Sequence, residues 1–192
     1  MDHDALEDIR RLKYRYFRCL DTKDWDGFRD CFVPDATAQY GKRVSFTNRD
    51  DITQYMVDNL GPTMITLHHG HHPEIDVDGD AATGIWALED TVIMTEYRQL
   101  LYGASFYEDR YVRGDDGAWR IAATSYVRTF ESIQSLDDTP SFKLLANRWA
   151  SEAEAEAEAA AAAEAAAEAG EEGAAEGEEG EAPAPAEEPS SE

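Results

Sequence analysis

The feature that most constrains the fold of this chain is a change of hydrophobic period near Met64. Before it, apolar residues recur every three or four positions; after it, they alternate. Leu6, Ile9, Leu12, Tyr16 and Leu20 form one apolar stripe, which predicts a helix from about Asp4 to Thr22. A second, shorter helix is expected to bury Trp25, Phe28 and Phe32 and to end at Pro34-Asp35. Asn48 reads as the cap of a third, with Asp50 and Asp51 in its first turn and Ile52, Tyr55, Met56 and Leu60 inward, stopping at Gly61-Pro62. From Met64 the alternation predicts strands at Met64–His69, Pro73–Val77, Ala82–Thr95, Ala104–Arg113 and Ala118–Glu131. Asp78-Gly79-Asp80 and Asp115-Asp116-Gly117 carry the turn chemistry of tight antiparallel hairpins. Helices followed by long antiparallel strands indicate an α+β fold, with the helices on one face of a curved sheet that can enclose an apolar pocket.

This pattern stops at about residue 150. Residues 151–192 comprise 17 Ala, 15 Glu, 4 Gly, 3 Pro and 3 Ser, with no basic, aromatic or branched aliphatic side chain. Such a segment cannot bury enough apolar area to offset its ordering entropy, so two parts are expected: a domain over 1–150 and a disordered acidic tail over 151–192. Ala153–Ala169 is strong helix-forming material, and a solvated tail is favoured over an acidic interaction arm.

The whole chain has 17 Lys+Arg against 41 Asp+Glu, a net charge of −24. Without the tail's 15 Glu the remainder has 26 acids against 17 bases, a net of −9. That balance argues against nucleic acid and anionic membranes as partners. No apolar run approaches 18 residues and no export signal is visible at the N-terminus, so a cytoplasmic protein is expected. Cys19 and Cys31 read as buried thiols in a reducing compartment.

Several polar residues interrupt apolar faces. On the strand Gly84–Thr95 the even positions are Trp86, Leu88, Asp90, Val92 and Met94, so Asp90 is expected to be buried, where it either finds donors or holds its proton. Asp21 falls five residues after Tyr16 at a helix C-terminus, where an acid opposes the dipole; capping of the next helix is the simplest reading. His68 shares a strand face with Met64 and Thr66 and can point into the pocket as a base. The rest of the run His68-His69-Gly70-His71-His72 invites a metal reading, but without Cys or HExxH spacing no metal site is assigned; His69 is read as packed or solvated, His71 and His72 as loop residues. Arg128, at the end of the last strand on the face of Tyr126 and Phe130, can orient a carboxylate or pair with a neighbouring acid. No GxGxxG, P-loop or GxSxG motif is present, and cofactor-free chemistry is the enzymatic option left.

Five segments together resemble the SnoaL-like branch of the NTF2-like superfamily: residues 13–21, Trp25-Asp26, His68–Ile75, Trp86–Asp90 and Tyr126-Val127-Arg128. Within it the likeness is greatest to the dehydratase subgroup of the bile acid 7α-dehydratase and scytalone dehydratase type. The resemblance spans residues 5–135 and implies a cone-shaped α+β barrel, assembly as a trimer or dimer, and catalysis without metal or organic cofactor. It also implies catalytic roles for Tyr16, Asp21, His68, Asp90 and Arg128 and a pocket role for Tyr40, with Trp86 and Tyr126 beside the substrate. The implied activity is loss of water from a small, apolar hydroxylated enone such as a steroid or polyketide. A ketosteroid-isomerase-like double-bond shift and a non-catalytic binding module are the alternatives.

Overall fold

In the computed structural model, which describes residues 2–151, the chain divides at Leu144/Leu145, and all the regular elements lie in the first unit. The expected disordered tail and its Ala153–Ala169 helix lie outside the described residues. Helix α1 spans His3–Thr22; the Asp2 side chain caps it by accepting from the Ala5 N–H, and Lys23 ends it in a left-handed conformation. Ile9, Leu12, Tyr16 and Leu20 are buried along one face, as the spacing requires, but at the start of the stripe Ala5 is buried and Leu6 is only half-buried. Helix α2 is short, Trp25–Arg29, and Asp24 caps it by accepting from the Gly27 N–H. Helix α3, Arg49–Asn59, starts at Asn48, whose side chain accepts from the Asp51 N–H at 2.8 Å.

The expected end of α2 at Pro34 is wrong. Phe32–Tyr40 is a strand, β1, which buries Phe32, Ala36, Ala38 and Tyr40 and pairs in parallel with the last strand. Pro34 fits because that pairing is irregular between Phe32 and Thr37, so its missing N–H falls where the ladder is interrupted. A three-residue strand β2, Val44–Phe46, follows. The other strands are β3 (Met64–Asp78), β4 (Ala81–Met94), β5 (Gln99–Arg113) and β6 (Trp119–Ser135). They form one sheet in the order β2-β1-β6-β5-β4-β3, antiparallel except at β1–β6. The two marked turns join β3 to β4 and β5 to β6. The expected break at Gly70–Pro73 is a bulge within one continuous β3, with His72 at φ 46°.

The helices cover the concave face of the curved sheet. Helix α1 packs on β3 and β6, and α3 packs on β1, β2 and α2. Ile9, Tyr16, Phe28, Phe32, Trp86, Tyr111 and Ile121 are almost completely excluded from solvent between them. Each such side chain contributes about 1.5–3 kcal/mol through burial. Cys19 and Cys31 are buried free thiols; burial pushes the Cys31 thiol up to about 11.

Candidate active site

Asp21 does not cap α2; Asp24 does. The Asp21 carboxylate instead crosses to β3. Its Oδ1 accepts from the Thr66 hydroxyl at 2.8 Å and lies 2.6 Å from His68 Nδ1, while Oδ2 accepts from the His68 backbone N–H at 2.8 Å. Three contacts from one strand therefore offset the helix-dipole penalty. The assignment that satisfies this network puts the imidazole proton on Nδ1, so Nε2 carries the free lone pair. The Phe17 ring lies nearly parallel to the imidazole, 13° between planes at 6.2 Å. It reaches that position over Gly70, where a Cβ would fall 2.3 Å from Phe17 Cε2.

His68 lines a cavity of about 330 Å³ between α1, α3 and the sheet, within the size range of small-molecule sites. Tyr16, Tyr40, Asp90, Tyr126 and Arg128 line the same cavity, with Leu20, Met56, Leu88 and Val92 among its apolar walls. The Tyr16 and Tyr40 side chains are buried, and neither hydroxyl makes a well-directed hydrogen bond among the described residues, although the two phenols and Tyr107 lie close enough to interact. Burial pushes both phenols up, helped for Tyr16 by Tyr107 and Tyr40 beside it, so both remain neutral donors. Buried hydroxyls without a well-directed hydrogen bond are rare in folded proteins; here they face a cavity that can hold an oxygen-bearing ligand.

Asp90 is buried, 3% exposed, and has found donors. Both of its oxygens are taken by the Arg128 guanidinium, Oδ2 at 2.8 Å from Nη2 and Oδ1 in a still closer contact with Nη1. The pair spans from β4 to β6 across the intervening β5, where Asp90 and Glu131 both align with Gly103. A Cβ on Gly103 would lie 2.8 Å from Arg128 Nη1 and 3.2 Å from Asp90 Oδ1, so glycine is what lets the pair form. Burial disfavours the Arg128 charge, but the Asp90 hydrogen bonds and charge outweigh it and hold the group further toward the cation. Arg128 Nε also pairs with Glu131 at 3.1 Å. Arg128 does not end its strand, which runs on to Ser135. Nor does Phe130 share its face: a register shift separates the Ser105–Arg128 and Ala104–Phe130 pairs and leaves Phe130 45% exposed.

Trp86 lies outside the cavity. It is fully buried, its Nε1 donates to the Tyr111 hydroxyl at 2.9 Å, and Tyr14 stacks edge-on at 6.2 Å. It shares the Asp90 face, but four residues along β4 carry it beneath α1, beyond the reach of a ligand at His68. His69, His71 and His72 likewise do not line the cavity. Two groups escaped the sequence reading. Tyr107 lines the cavity and packs edge-on to Tyr16 at 6.1 Å. Beneath both rings lies a buried ion pair, Lys13 Nζ to Asp109 Oδ2 at 2.7 Å, with both side chains fully excluded from solvent. The ammonium also sits over the Tyr107 ring, 3.7 Å from its centroid. Tyr107, Asp109 and Tyr111 alternate on β5 as Leu88 and Asp90 do on β4, so the signal that located Asp90 was present here too.

The SnoaL-like domain family matches residues 2–125, and the chain belongs to it. An uncharacterized protein of Mycobacterium tuberculosis is 28% identical over 132 residues, covering 68% of this chain and 88% of the relative. Among solved structures, a putative scytalone dehydratase from Novosphingobium aromaticivorans is similar with a TM-score of 0.61 at 21% identity, covering 67% of this chain and 86% of the other. A hexachlorocyclohexane dehydrochlorinase, LinA type 2, is similar with a TM-score of 0.64 at 17% identity, covering 69% and 90%. These likenesses establish the NTF2-like cone fold.

Proposed function

We propose that this protein is a cytoplasmic, cofactor-independent lyase that eliminates water from a small, apolar hydroxylated enone of steroid or polyketide type. The observation that carries this reading is the opening of the His68–Asp21 pair onto the same cavity as two buried tyrosine hydroxyls, Tyr16 and Tyr40, that make no well-directed hydrogen bond among the described residues. In the proposed reaction His68 Nε2 takes a proton from carbon, and Asp21 holds the tautomer and stabilises the imidazolium. The C–H electrons form a dienolate, whose oxygen accepts hydrogen bonds from Tyr16 and Tyr40; each well-placed donor contributes roughly 3 kcal/mol to the transition state. Those electrons then expel the hydroxyl, which leaves as water on taking a proton from the imidazolium. Asp90 is a poor alternative donor because both its oxygens already accept from Arg128. That pair instead fixes the charge on one wall and orients Arg128 beneath the Tyr126 ring, 5.4 Å from its centroid.

Two structural neighbours are named for eliminations, a dehydratase and a dehydrochlorinase, which supports the reaction class. Self-association, as a trimer in the first instance or a dimer, is supported by Phe106, Val127 and Phe130, which are exposed on the outward face of the sheet. The test is incubation with 7-hydroxy-3-oxo-4-ene steroids, followed by mass spectrometry. Loss of one water is expected, with turnover reduced at least about a hundredfold in His68→Ala and in Asp21→Asn while both remain folded. A product of unchanged mass but shifted double bond makes the protein an isomerase, and tight binding without turnover makes it a binding module.

A further inference from the structure

The histidine run contains more than the pocket base. Because β3 alternates, His69 and His71 project from the face opposite His68, two positions apart on the same strand. The register sets Glu89 of β4 directly across from His69 and diagonal to His71. One ligating atom from each of His69, His71 and Glu89 lies within 4.8 Å of the others, and His71 Nε2 is 3.8 Å from Glu89 Oε2. The two imidazole rings are 5.7 Å apart between centroids. Just beyond the cluster the β3–β4 pairing shifts at a bulge and His72 takes a positive φ of 46°, a device that re-aims side chains on a strand.

We propose that His69, His71 and Glu89 form a binding site for a divalent transition-metal ion of the Zn²⁺ class, a site separate from the cavity and independent of the reaction proposed there. Two imidazoles and a carboxylate are a borderline-soft ligand set that suits Zn²⁺ better than Ca²⁺ or Mg²⁺, which prefer oxygen. Ligand atoms around tetrahedral Zn²⁺ with bonds of about 2.0–2.1 Å lie roughly 3.3 Å apart. The cluster therefore closes by small side-chain rotations, which are open to His71 and Glu89 because 43% and 45% of their side chains are solvent-exposed. The strands fix the Cβ positions, so little backbone ordering opposes binding. The phenol of Tyr102 donates to Glu89 Oε1 and orients that carboxylate from β5, the outer support that metal sites commonly carry. Three protein ligands leave a fourth position for water or an exogenous donor, and an ion held there ties β3, the edge strand among the described residues, to β4.

The test uses the full chain without a polyhistidine tag, titrated with ZnCl₂ against a chromogenic chelator, with thermal melting in parallel. One Zn²⁺ per chain is expected to bind tightly enough to compete and to raise the melting temperature. His71→Ala and Glu89→Gln should each weaken that binding by at least about tenfold, whereas His72→Ala and His68→Ala should leave it unchanged. Weak binding to the Glu-rich C-terminal segment would persist in all four variants. The proposal is overturned if no competing site is found, if binding survives His71→Ala and Glu89→Gln, or if His68→Ala abolishes it, which would place the ion at the Asp21 pair.

Discussion

Replacing Lys13 by methionine tests the most demanding contact in the fold. The Asp109 carboxylate is ion-paired with Lys13 Nζ at 2.7 Å and accepts hydrogen bonds from the Tyr111 and Thr124 hydroxyls, each also at 2.7 Å. Lys13→Met keeps the volume of the side chain and its packing on Tyr16 and Tyr107, so the cavity contribution is small. It also leaves the two hydroxyl donors in place. What it removes is the only cation among the described residues paired with a carboxylate that has no solvent exposure. Breaking one side of a buried pair costs about 3–5 kcal/mol, most of it the uncompensated charge left behind. Burial already pushes the Lys13 ammonium down, opposed by Asp109, so the pair depends on both partners being present. For a domain of this size each kcal/mol moves the melting temperature by about 2–4 °C, and the variant should therefore melt roughly 6–20 °C lower. Urea unfolding followed by tryptophan fluorescence reads the same loss as a lower midpoint at unchanged slope. Asp109→Asn in the Lys13→Met background should recover part of the loss, because the stranded charge is gone. A single variant within about 1 kcal/mol of the parent, or strictly additive losses in the double variant, would refute the argument.

Gly103→Ala should separate Arg128 from Asp90, since the new methyl occupies the space of Arg128 Nη1; the expected loss is about 1–3 kcal/mol of stability, read by thermal melting. If the melting temperature is unchanged, the pair does not depend on glycine at that position. Burial raises the Tyr16, Tyr107 and Tyr111 phenols, so the folded state holds protons that the unfolded chain releases above about pH 10. Their contribution to stability is complete below that pH and is lost as pH rises through the folded-state values. Ultraviolet titration should therefore show these tyrosines ionising together with unfolding; smooth ionisation of all tyrosines without a structural transition would contradict their burial.

Much of this architecture is legible in the sequence because period and turn chemistry are local. The α1 stripe, the Asn48 cap and the hairpin at Gly79 follow from residues a few positions apart. β1 is hidden because Pro34 and two alanines, Ala36 and Ala38, mask a strand whose partner, β6, lies about ninety residues later. The odd polar residues were informative in the same uneven way. Asp90 stood out against Leu88 and Val92, and its partner across β5 becomes visible only once Gly103 is known to leave room. The unfavourable helical position of Asp21 was visible in the sequence, but its three contacts on β3 depend on tertiary placement. Trp86 shows the opposite failure, since sharing a face with Asp90 says nothing about depth along the strand.

The proposed elimination depends most on which ring nitrogen of His68 carries the proton. Nitrogen-15 NMR of the folded protein at neutral pH reads it without a substrate, through the tautomer-dependent couplings between ring protons and nitrogens. The predicted result is a His68 imidazole protonated on Nδ1, with that proton strongly deshielded by Asp21 and the deshielding lost in Asp21→Asn. An imidazole protonated on Nε2, or one whose signals ignore Asp21→Asn, would contradict the proposed base.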